Sequence, residues 1–141
     1  MLAVMSNSNK LLMRRWFEEV WNQQDATAIN RMLHRQAKVY GLTESGDPLV
    51  GPDSFKPFHS TFCGAFPDLR IEIDNIVAED RIVAARWTAA MTHLGAHLGF
   101  PATGRKVVLT GMTFAVVDEG QIVEGWNETD LQTLVLKLKT A

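Results

Sequence analysis

At Leu69 the hydrophobic pattern of the chain changes period, and that change limits what it can fold into more than any other feature. Before it, Leu12, Trp16 and Val20 repeat at i, i+4, with Met13, Phe17 and Trp21 widening the stripe and Lys10, Arg14, Glu18 and Asn22 opposite, as in an amphipathic helix. After it, Leu69, Ile71 and Ile73 alternate with Arg70, Glu72 and Asp74, which is the period-two pattern of a half-exposed strand. Strand-type runs follow from Ile82 to about His93, from Val107 to Val117 and from Gln121 to Asn127, the last two joined by Asp118, Glu119 and Gly120 as a hairpin. Helices first and strands afterwards specify an α+β domain, with a helical layer on an antiparallel sheet.

The helical half divides further. Ser8 is a candidate cap for the first helix, and Asp25 for a second with Ile29, Met32 and Leu33 inward. Lys38 to Leu42 is a brief strand-like run, and Thr43 to Gly51 is rich in turn residues. A third helix should begin near Pro52 or Asp53, bury Phe55, Phe58, Phe62 and Phe66, and stop before Pro67; Pro57 inside it predicts a kink or a later start. Leu131, Leu134, Val135 and Leu138 return to helical spacing, so a short helix should close the chain. No repeat or linker interrupts this order, and 141 residues suit one domain over residues 1–141.

A formal charge of -2 gives no general attraction to phosphate backbones or anionic lipids, so neither nucleic acid nor a membrane is an expected partner. Met1 to Met5 is too short for the apolar segment of a signal peptide, and no run reaches membrane-spanning length; a cytoplasmic location is expected. Cys63 is the only cysteine and sits among apolar neighbours on the third helix, which favours an inert thiol. With no Cys/His cluster at ligand spacing, no metal site is expected. Gly99 to Gly104 does not match a phosphate-cradling glycine motif.

A twisted sheet covered at one end by helices tends to curve, and the space between the layers is the natural pocket. Its expected lining is Trp16, Phe17, Phe58 and Phe62 from the helices, facing Trp87, Met112, Phe114 and Trp126 from the sheet, which suits an apolar small molecule. Tyr40, the one tyrosine, is positioned by the sequence either to orient a substrate oxygen or to bond a backbone carbonyl. Ile122, Glu124, Trp126, Glu128 and Asp130 alternate along the final strand, so an unbroken strand would carry all of them on one face. Histidine is the side-chain type suited to proton transfer near neutral pH, so His93 is a candidate general acid or base.

Five segments in order carry a resemblance: EEVWNQQD near the start, FPDLRIEI at Phe66 to Ile73, RIVAARWTAAMTH at Arg81 to His93, LGFPATGRKV at Leu98 to Val107, and EGQIVEGWNETDL near the end. Together the chain resembles the SnoaL-like polyketide cyclases, of the superfamily with the cone fold of nuclear transport factor 2, from about Leu11 to Leu138. The resemblance implies an intramolecular aldol ring closure on a polyketide ester, by an acidic side chain and with no metal or organic cofactor. By position that acid is Asp130, four residues beyond Trp126. A carboxylate in an apolar cavity can take a proton alpha to a carbonyl and return it to the alkoxide if desolvation lifts its pKa. Asp130 also stands directly before the last helical run, where aspartate is a favoured N-cap. Where such cyclases can carry a histidine on the penultimate strand this chain has Ala115 and Val116, which leaves His93 or His97 in the preceding loop as substitutes.

Cofactor-independent aldol cyclisation is therefore the leading reading of function, with an epoxide hydrolase or isomerase in the same pocket and a non-catalytic ligand-binding or dimerisation module as the alternatives. Apolar residues remain for the sheet's other face, so a homodimer is expected, but a single bulge would reverse which residues look inward.

Overall fold

The computed structural model describes residues 2–140. The elements run α1 (Leu2–Arg15), α2 (Ala26–Met32), β1 (Leu33–Tyr40), β2 (Leu49–Val50), α3 (Gly51–Ala65), β3 (Arg70–Glu79), β4 (Ile82–Thr92), β5 (Lys106–Asp118), β6 (Gln121–Thr129) and α4 (Leu131–Lys139). The fold is the expected α+β one, with helices on the concave face of a curved, open sheet. Helix α1 starts before Ser8, which lies exposed on it rather than capping it. It continues as a π-helical segment, Trp16–Asn22, whose wider turn brings Trp16, Phe17, Val20 and Trp21 together into the core. Asp25 caps α2 through the Thr27 amide, as its sequence position predicts.

Helix α3 passes through Pro57 without the delayed start that proline predicts. Pro57 and Asp53, whose carbonyl loses its helical partner, are both exposed, so water can satisfy the freed oxygen. Trp21 is the wedge between this helix and the π-helical segment. Its ring lies 6.0 Å from Phe55, 6.1 Å from Phe58, 5.0 Å from His59 and 5.9 Å from Phe62, centroid to centroid. His59 Nε2–H donates to the Val20 carbonyl at 2.6 Å, an acceptor in that same segment.

The six strands lie in the order β2-β1-β6-β5-β4-β3. All neighbours are antiparallel except β1 and β6, which run parallel, so the wholly antiparallel sheet expected from the strand succession needs correction. The first strand is separated from its partner by most of the chain and enters beside it in the same direction. Asn22 finishes the edge of β3 by pairing like a strand residue: its Oδ1 accepts from the Ile71 amide at 2.7 Å and its Nδ2 donates to the Ile71 carbonyl at 2.9 Å. Register shifts between Ile73 and Asn75 and between Val116 and Val117 mark bulges that help the sheet bend.

One close approach fixes the position of the indole on β4. Gly111 on β5 is paired with Trp87, and a Cβ at residue 111 would overlap the six-membered ring of that buried indole. Gly111→Ala is therefore expected to destabilise the fold by about 1–3 kcal/mol through overpacking, read as a lower urea midpoint at unchanged slope.

Candidate functional site

Between the helices and the sheet lies an inner cavity of about 70 Å³. Trp16, Phe17, Phe58, Phe62 and Trp87, all expected at the pocket, do line it. Its floor comes from the inward positions of the sheet, among them Leu109, Thr113 and Ala115 on β5 and Ile122, Gly125 and Asn127 on β6. No ionisable side chain is among the residues that line it.

The remaining expected pocket residues lie elsewhere. Met112 and Phe114 are 58% and 43% exposed on the convex face, because the buried set of β5 is Leu109, Gly111, Thr113, Ala115 and Val117. Both faces of this strand carry apolar residues, so alternation alone could not choose between them. Trp126 and Tyr40 belong to the same convex face as Phe114, in register across β5, β6 and β1; the two rings stack at 5.9 Å. The bulge in β6 explains the error there. Ile122 faces the cavity, the register shifts, and Glu124, Trp126 and Glu128 then point outward while Gly125 and Asn127 point in.

Neither histidine reaches the cavity. His93 is fully buried between the rings of Phe66 and Phe100, at 5.7 and 5.2 Å. Its Nδ1 accepts from the Thr103 amide at 3.1 Å, which leaves the proton on Nε2, where no partner receives it. It pins the loop after β4 rather than facing a ligand. His97 is exposed in that loop with its ring over Gly64.

Asp130 is the N-cap of α4. One carboxylate oxygen accepts from the Thr133 amide at 3.0 Å and the other from the Thr133 hydroxyl at 2.6 Å. Those two bonds, the hydroxyl's the larger influence, hold its pKa below the ordinary aspartate value, and the group is exposed. The desolvated, raised carboxyl expected from an apolar cavity is therefore corrected: a residue that begins a surface helix cannot also be buried under it. Cys63 shows the opposite effect, its thiol pushed up to about 11 by burial and so inert near neutral pH.

Asp130 does line a second space, an open cleft of about 680 Å³ bounded by the segment Gly41 to Glu44, by α3 and by α4. Leu42, Phe58, Phe62, Thr129 and Leu131 border both spaces, so the two adjoin at these side chains.

A polar thread missed in the sequence crosses the cavity wall. Trp87 Nε1–H donates to Thr113 Oγ1 at 3.0 Å, Thr113 donates to Asn127 Oδ1 at 2.8 Å, and Asn127 Nδ2 donates to the Tyr40 carbonyl at 3.2 Å. An indole can only donate and a carbonyl only accept, so the two ends fix every direction between them. Period-two alternation from Leu109 reaches Thr113, but the bulge hid Asn127.

The sequence matches the model of the SnoaL-like polyketide cyclases over residues 11–138. The chain belongs to that family. No curated protein matches this SnoaL-like domain. Among solved structures it is similar to a protein from Jannaschia sp. CCS1 provisionally assigned as a SnoaL-like polyketide cyclase, with TM-score 0.83, 20% identity, and 97% of this chain and 95% of that one covered. It is also similar to AclR of Streptomyces galilaeus, provisionally assigned as a hydroxylase, with TM-score 0.81, 26% identity and coverages of 96% and 83%. A third is IdmH of Streptomyces antibioticus, provisionally assigned as a polyketide cyclase, with TM-score 0.77, 25% identity and coverages of 93% and 98%. Among the described residues, no helix of this SnoaL-like domain is long and apolar enough to cross a membrane, and no three His, Cys, Asp or Glu side chains gather as a metal would require.

The cap makes stability depend on pH in a definite direction. Because the folded pKa of Asp130 is depressed, its contribution to α4 is fully present above the unfolded value of about 3.9 and is lost as pH falls through the folded one. Protection of the α4 amides from hydrogen exchange, relative to their intrinsic rates at each pH, should fall in that acid range in the wild type, and Asp130→Asn, which keeps a capping oxygen, should remove that residue's share of the dependence.

Proposed function

We propose that this SnoaL-like domain binds a small, uncharged, largely apolar molecule in the inner cavity, with the outer cleft as its way in. The observation that supports this is the cavity wall itself: aromatic and aliphatic side chains with a few neutral polar groups and no ionisable one. A buried acid or base inside the cone would need a titratable side chain there. At about 70 Å³ the cavity is smaller than the roughly 150 Å³ that holds benzene, so a ring-sized ligand must displace some of the side chains shared with the cleft.

Aldol cyclisation of a polyketide-type ester is the second reading, and it rests on Asp130 lining the larger cleft. There the ionised carboxylate would take a proton alpha to a carbonyl and return it to the alkoxide after the carbon–carbon bond closes. The two readings separate on one variant. With acetophenone as probe, the Trp87 indole and Gly125 amide signals should shift alike in the wild type and in Asp130→Asn. Loss of a hundredfold or more in turnover of a diketo ester in Asp130→Asn, with probe binding intact, would replace the first reading by the second.

The convex face supports pairing with a second copy. Val77, Ala84, Phe114, Trp126 and Tyr40 stand in register as one apolar row across β3, β4, β5, β6 and β1. Lys38 and Glu124 on one side of the row and Arg86 and Glu128 on the other give it both signs of charge, so a copy meets no uniform repulsion. The wild type is expected to elute as a dimer by light scattering and Phe114→Glu as a folded monomer; a monomeric wild type at tens of micromolar would remove the dimer.

A further inference from the structure

We propose that Asn127 is the specificity residue of the inner cavity, and that it selects an uncharged ligand with one carbonyl or hydroxyl oxygen on an otherwise apolar body. This rests on the cavity-binding reading above and says what the cavity distinguishes.

The side-chain amide is held from both ends. Thr113, itself buried and oriented by the Trp87 indole, donates to Oδ1, and one hydrogen of Nδ2 goes to the Tyr40 carbonyl. The second hydrogen of Nδ2 has no acceptor among the described residues, and Asn127 borders the cavity. Oδ1 keeps a lone pair beyond the one that Thr113 uses. The wall thus offers one fixed donor and one fixed acceptor side by side, in a lining that is otherwise nearly all apolar. A ketone or ester oxygen takes the donor, and a hydroxyl can use both.

Orientation is what turns this amide into a selector. A free asparagine can flip to suit any ligand, but flipping Asn127 would put Oδ1 against the Tyr40 carbonyl and leave the Thr113 hydroxyl facing an NH₂ group. A hydrocarbon of the same shape would cover the donor and leave it unpaired, and that unpaired group is how a polar site rejects an analogue. A carboxylate is refused for a separate reason. No cation lines the cavity, so nothing there offsets the loss of its hydration.

The test compares acetophenone, 1-phenylethanol, ethylbenzene and benzoate, four compounds of similar shape, by titration into ¹⁵N-labelled full-length protein. The two neutral oxygen compounds are expected to bind about five- to tenfold more tightly than ethylbenzene, as one neutral hydrogen bond allows, and benzoate not measurably. The Asn127 side-chain amide signals should move with acetophenone and stay in place with ethylbenzene. Asn127→Leu should abolish the preference by weakening only the oxygen compounds. If that variant does not fold, the wild-type series decides alone. Equal affinity for acetophenone and ethylbenzene, or benzoate as the tightest of the four, would overturn the role of Asn127 while leaving cavity binding in place. No shift of any cavity signal with all four would overturn both.

Discussion

The wedge of Trp21 between the π-helical segment and α3 is the contact on which the rest of the cone depends. Each of its aromatic neighbours lies at a centroid distance where edge-on or tilted rings attract, worth on the order of 0.5–1.5 kcal/mol per pair beyond the area buried. Bulky rings packed edge to edge hold the helical layer off the sheet, and the space left between them is the inner cavity. The π-helical turn is part of the same arrangement, since it brings four consecutive-turn side chains to one face and presents the Val20 carbonyl to His59. Small residues opposite complete it: Gly111 admits the Trp87 indole, and Ala89, Ala115 and Gly125 keep the floor low.

That geometry separates charge from cavity. Ionisable groups of the sheet lie on its convex face or its edges, and the one carboxylate that the family resemblance singles out begins a helix at the mouth. An exposed aspartate bonded to a hydroxyl and an amide is stabilised as the anion, the reverse of what a desolvated acid needs. What remains inside is a neutral thread of indole, hydroxyl and amide, whose directions are set by the partners at its two ends. Similar solved structures span provisional cyclases and a provisional hydroxylase, consistent with a fold that hosts different chemistry in one cone.

Much of this was legible in local pattern. The period change at Leu69, the alternation of β3, the strand run of β4, the cap at Asp25 and the helical return after Asp130 depend on neighbours within a few residues, so local sequence carries them. The aromatic positions on the π-helical segment and α3 pointed to the helical wall of the cavity for the same reason. Three sheet positions, Met112, Phe114 and Trp126, were read on the wrong face. A strand with apolar residues on both faces gives no inside or outside, and a one-residue bulge near Val123 reverses the parity of everything after it.

The sequence by itself determined the order of the main helices and strands, though not β2 at Leu49–Val50, together with the family and the fact that bulky rings would face a strand-rich second half. Each follows from spacing along the chain or from ordered motifs. Only the tertiary structure decided that β1 runs parallel beside β6, that Asp130 caps rather than sinks, that His93 holds a loop, and that Trp87, Thr113 and Asn127 share one hydrogen-bonded thread. Those facts join residues distant along the chain, as Thr113 and Asn127 or Leu33 and Ile122 are, or turn on burial, and neither pairing nor burial exists until the sheet has curved around its helices.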